Sequence, residues 1–125
     1  MRIFATVPAL FLIVLVSIVK AEEAPEDTGR SPGDMTVEER TQMMQSTNEY
    51  NTCVYNQAID KINSDPDIRR IADAAMVVCQ PRLDALRKQI IGWHFPIGFA
   101  DGFARSVRER AVHNLLPELA TRKGG

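Results

Sequence analysis

Two patterns of apolar residues divide this chain. From Ile3 to Val19 almost every side chain is apolar, interrupted only by Thr6, Pro8 and Ser17. Beyond Thr36 the apolar residues recur at helical spacing instead. Ile68, Ala72, Ala75, Cys79, Leu83, Leu86 and Ile90 follow one another at intervals of three or four, a continuous stripe along one helix. Upstream, Met43, Thr47, Tyr50, Val54 and Ala58 form a second stripe, widened by Tyr55, Ile59 and Ile62. Thr47, Asn48, Asn51, Thr52 and Asn56 lower the intrinsic helix propensity there. Downstream, Phe99, Phe103, Val107, Ala111 and Leu115 recur every four residues, and Val112, Leu116 and Leu119 extend the face. No run alternates with period two for long enough to make a strand. The expected class is all-α.

Local signals set the boundaries. Thr36-Val37-Glu38-Glu39 has the form of a capping box, with Glu39 three residues after the threonine. Ser64-Asp65-Pro66-Asp67 reads as a helix stop and restart: Ser64 or Asp65 can cap, Pro66 suits a first turn and Asp67 favours a helix N-terminus. One helix is therefore expected from about Thr36 to Asn63 and a second from about Pro66 to Ile91. Pro81 removes one hydrogen bond and is expected to kink or restart the second helix. Pro117 puts the last turn of the third in question. Residues 36–121 make the helical domain, and 122–125 are expected to fray. Residues 22–35, with Pro25, Gly29, Pro32 and Gly33, read as a flexible acidic linker.

The short loop makes the first two helices an antiparallel hairpin. Cys53 lies ten residues before the expected end of the first helix, and Cys79 thirteen after the expected start of the second. At a rise of ~1.5 Å per residue they stand level to within about one turn. A Cys53–Cys79 disulfide is expected, giving a stapled hairpin plus a third helix, a small three-helix bundle. No Cys-x-x-Cys is present to suggest thiol redox catalysis.

Composition bears on location. Arg2 precedes the apolar run, and Val19-Lys20-Ala21 offers a cleavage site ahead of the polar Glu22-Glu23, so residues 1–21 read as a secretory signal peptide. An uncleaved leader would serve as an anchor, and membrane association would then run through it. Removing Arg2 and Lys20 takes the net charge from −1 to −3, which does not fit a nucleic-acid binder. The expected location is exported, periplasmic or extracellular. Glu22, Glu23, Glu26 and Asp27 crowd one end, while Arg82, Arg87, Lys88, Arg105, Arg108, Arg110, Arg122 and Lys123 load the C-terminal half. Those basic residues read either as solvated helix faces or as a face for an anionic partner.

The segment Ile90 to Phe103 holds three of the five phenylalanines and the only tryptophan, interrupted by Gly92, Pro96, Gly98 and Gly102. Its aromatic residues either close the end of the core or present Trp93, Phe95, Ile97 and Phe99, with Arg105 and Arg108 beside them, to a partner. No nucleophile elbow, phosphate loop, dinucleotide fingerprint or zinc-protease motif occurs. His94 and His113, taken with the two cysteines, match no standard zinc spacing. Expected, then, is a non-enzymatic interaction or accessory subunit of a cell-envelope assembly, with no cofactor and no metal, whose partner is another envelope or secreted protein. An inhibitor or immunity-type protein, or a small apolar-ligand or chaperone-like module, would also fit.

Overall fold

The computed structural model describes residues 29–124; the leader and the first part of the expected linker lie outside the described residues. Within them the chain is all-helical. A 3-10 turn at Pro32–Asp34 is followed by α1 (Val37–Asp60), α2 (Ile68–Gly92) and α3 (Ile97–Gly124). Thr36 caps α1 as a reciprocal box: its Oγ1 accepts from the Glu39 N–H at 3.1 Å, and Glu39 Oε2 accepts from the Thr36 N–H at 3.1 Å. α1 ends at Asp60, one turn before the expected Asn63, and Ser64 Oγ closes the following turn on the Lys61 carbonyl at 2.7 Å. The cap of α2 is Asp67, whose Oδ1 accepts from the Arg69 N–H at 2.9 Å. Asp65 is occupied by the turn itself, accepting from the Asp67 N–H at 2.8 Å and from Arg70 Nε at 2.8 Å. Pro66 therefore precedes the helix rather than opening it.

α2 is the middle of the bundle. α1 and α3 each pack mainly on it and touch one another less. Ser46 Oγ donates to Gln89 Oε1 at 3.0 Å, and Cys53 bonds Cys79 with the Cα atoms 6.0 Å apart, so α1 and α2 run antiparallel. The pairing of Arg87 with Asp101 does the same for α2 and α3. The buried stripe of α2 (Ile71, Ala72, Ala75, Met76, Cys79, Leu83, Leu86 and Ile90) serves both neighbours. Tyr50, Val54 and Ala58 meet it from α1, and Ala100, Ala104, Val107, Ala111, Leu115 and Leu119 from α3. Among the described residues, no charged residue is buried. Burial pushes the Tyr50 hydroxyl above its ordinary pKa, and it donates to Met76 Sδ at 3.5 Å.

Both internal prolines are accommodated without a break: α2 runs through Pro81 and α3 through Pro117. Each leaves one carbonyl without its helical partner. Those carbonyls belong to Val77 and His113, both exposed, so water can take the bond. The last turn of α3, expected to fray, continues to Gly124. Arg122 Nη2 donates to Tyr55 Oη at 2.6 Å, Arg122 Nε donates to Glu118 Oε1 at 3.2 Å, and Lys123 Nζ donates to the Asp65 carbonyl.

The described part of the expected linker is likewise docked. Arg30 Nη1 donates to Glu39 Oε1 at 3.0 Å and to the Trp93 carbonyl at 2.6 Å. Its Nη2 donates to Glu39 Oε2 at 3.0 Å and to the Asp34 carbonyl at 2.9 Å. Met35 is buried in the core. The bidentate pair holds Glu39 below the usual carboxylate range.

Candidate functional site

The aromatic turn between α2 and α3 is built from a helix terminus. His94, at φ 67°, is the non-glycine residue in the left-handed region among those described. Its N–H bonds the Ile91 carbonyl at 2.9 Å, and the Phe95 N–H reaches the Ile90 carbonyl at 3.4 Å. These two bonds are those of a Schellman motif, and Phe95 and Ile90 both belong to the buried core. The motif turns Phe95 inward, where it is 1 % exposed. Arg30 lies across its outer side, 4.3 Å from the ring centroid, and Phe99 packs at 5.6 Å. Pro96 then supplies the carbonyl that accepts the first α3 bonds, from Phe99 and Ala100.

The residues singled out from sequence differ in exposure. Phe95 is core. Trp93 and Phe99 are half-buried against the core, and Ile97 is 49 % exposed. Arg105 and Arg108 stand exposed further along α3, where a shallow groove groups them with Glu109, Val112, His113 and Leu116. At ~1.5 Å per residue Arg105 is roughly 12 Å from the start of α3. Cys53 and Cys79 are joined, as expected.

A different surface emerges on α1. Its outer face carries Thr41, Met44, Gln45, Asn48, Thr52 and Asn56, which with Glu49, Gln57, Cys53 and Arg82 line an open trough of about 790 Å³. From Thr41 to Ile59 the sole charged residue is Glu49, whereas the exposed faces of α2 and α3 are crowded with arginine, lysine, aspartate and glutamate. Val37 and Met44 are 78 % and 60 % exposed on this helix, and Tyr55 is 37 % exposed. The signal was present in the sequence, as a stretch of amides and hydroxyls where a solvated helix normally carries charge. A second groove, between α1 and α3, has an apolar floor of Val54, Ala111 and Leu115. Its volume of about 260 Å³ is below the ~300–1,000 Å³ of small-molecule sites.

Among the described residues no group of three His, Cys, Asp or Glu is placed to hold a metal ion, and no buried side-chain polar atom lacks a partner. No helix among them is long and apolar enough to cross a membrane, and the disulfide is the chemistry of an oxidising compartment. Comparison with family models, with curated proteins and with solved structures finds no match to this chain.

Proposed function

We propose that this chain is an exported, non-catalytic interaction module, an accessory subunit of a cell-envelope assembly, that docks another protein through the outer face of α1. The observation that carries this reading is the near absence of charge over Thr41 to Ile59, together with the exposure of Met44 and Val37 on the same helix. Interface centres are depleted in charge and enriched in methionine and tyrosine. Amide and hydroxyl side chains can exchange water for a partner's hydrogen bonds at less desolvation cost than ions. The partner this face fits presents an uncharged surface with hydrogen-bonding groups and pockets for Met44 and Val37. The leader-like residues 1–21 and the disulfide support an exported address.

The test is a photo-crosslinking residue placed at Asn48, with a control at Asp84 on the charged face of α2, in cells that export the full chain. A discrete crosslinked species from position 48 and none from 84 is expected. Met44→Glu is expected to abolish that species while leaving the thermal melt unchanged, since Met44 is mostly exposed. Equal crosslinking from both positions, or from neither, would overturn the reading.

A further inference from the structure

The disulfide is buried unevenly. Cys79 is 0 % exposed, at the centre of the α2 stripe, whereas Cys53 is half-buried and lines the open trough on α1. A reagent reaching Cys79 would have to enter the core between α1, α2 and α3. One reaching Cys53 has only to enter the trough. Arg82, exposed, lines the same trough from the neighbouring helix. Glu49 lines it too, so Arg82 offsets a carboxylate that would otherwise repel the thiolate that attacks in thiol–disulfide exchange.

We propose that Cys53 Sγ is a thiol-exchange site, a position at which a small thiol or the dithiol of an exchange protein forms a mixed disulfide with the folded protein. The thiolate attacks Cys53 Sγ, and a new sulfur–sulfur bond forms there as the bond to Cys79 Sγ breaks. The electron pair leaves on Cys79 Sγ, which takes a proton from water that follows the thiolate in through the trough, because a thiolate in that apolar position is costly. The incoming thiol is oxidised to the disulfide level and Cys79 is reduced to a thiol, so atoms and electrons balance. Cys79 remains poised to attack the adduct and restore the original bond. A dithiol reagent instead releases itself with its own second thiol and leaves both cysteines reduced. The site does not depend on what protein docks on α1, although anything seated in the trough would cover it.

The experiment uses the full oxidised chain, incubated under native conditions with reduced glutathione, quenched in acid, alkylated with N-ethylmaleimide and mapped by peptide mass spectrometry. Glutathione is expected on Cys53 and maleimide on Cys79, with a rate proportional to glutathione concentration. Arg82→Glu is expected to slow the reaction severalfold at unchanged melting temperature. Adducts on Cys79, an even division between the two, or a rate independent of glutathione concentration would overturn the proposal, the last because opening of the fold would then limit the reaction. Single-cysteine chains give a second reading. The Cys53 thiol of Cys79→Ala should label in native buffer, and the Cys79 thiol of Cys53→Ala only in denaturant; equal native labelling would overturn the proposal. A thioredoxin-like protein dithiol used in parallel distinguishes the two sources: faster reduction than by glutathione at equal thiolate concentration assigns the site to an exchange protein, and the reverse to a small thiol.

Discussion

Phe95 is where the apolar turn and the core meet, and replacing it by alanine measures what that junction contributes. The ring is 1 % exposed, covered by Arg30 on one side and by Phe99 on another. A buried phenylalanine withdraws roughly 150–250 Å² from water. At about 25 cal/mol per Å² this gives roughly 4–6 kcal/mol as an upper estimate. Compactness of the denatured chain lowers it by roughly 10–40 %. The result, about 3–5 kcal/mol, coincides with the usual cost of Phe→Ala in a core. For a domain of ~100 residues each kcal/mol moves the midpoint by about 4–8 °C, so Phe95→Ala should lower it by roughly 12–40 °C. Urea melts followed by circular dichroism give the free energy directly, with an unchanged denaturant slope if the native state is otherwise preserved. Trp93→Ala is the matched control. Trp93 is half-buried beside the same turn, and its loss should leave a cooperative melt. A Phe95→Ala penalty below about 1.5 kcal/mol, or collapse of the melt in Trp93→Ala, would refute the assignment of Phe95 to the core and Trp93 to its margin.

Other outcomes follow from the same packing. A side chain at Gly98 or Gly102 would meet open space, so Gly98→Ala and Gly102→Ala should each raise stability by about 0.5–1 kcal/mol in urea melts. A loss in either would mean that the start of α3 is not the helix described. Removing both cysteines as Cys53→Ala/Cys79→Ala releases a loop with a sequence separation of 26, and the chain-entropy model expects a loss of about 3.5 kcal/mol by the same measurement. Acid should weaken the fold. The Arg30 pair lowers the pKa of Glu39 from 4.5, and the Arg70 bond lowers that of Asp65 from 3.8. A depressed native pKa gives stability that is complete above the unfolded value and lost as pH falls through the native one. Thermal melts should therefore be flat from pH 7 to about 5 and decline below it, less steeply in Glu39→Gln; a decline that begins above pH 6 would point to other groups.

How much of this could be read in advance depended on whether the deciding contact was local. The α2 stripe and the Thr36 box are local patterns, and the bundle and its staple follow from them. At the α1–α2 loop the sequence supplies two aspartates and a serine, each able to cap, and the choice of Asp67 depends on Asp65 being engaged by the turn and Arg70. Pro81 and Pro117 do not interrupt their helices, because each freed carbonyl belongs to an exposed residue, a fact of tertiary placement. Gly98 and Gly102 argue against helix by propensity, and burial of Ala100 and Ala104 beside them outweighs it. Arg30 finds its partners nine and sixty-three residues away, a distance no local pattern reports. The α1 face was legible as composition, but it is marked by missing charge, and a search for clustered charge passes over it.

The Arg30 clasp has a consequence for the order in which the protein comes apart. Residues 29–35 contribute no long helix; the Arg30 guanidinium and the buried Met35 side chain tie them to the bundle, and the rest of the fold is helix against helix. Such a segment belongs to the low end of local stabilities, able to detach while the bundle stays intact. Its detachment uncovers the outer side of Phe95 and frees the Trp93 carbonyl, with no helix lost. Amide hydrogens at Asp34 and Met35, bonded only within this turn, should then exchange well ahead of those in α2. Acid that neutralises Glu39 removes the charge that the Arg30 clasp holds. A protease or a chaperone meeting this domain would therefore gain its first purchase at the N-terminal edge, while the disulfide and the three helices still hold.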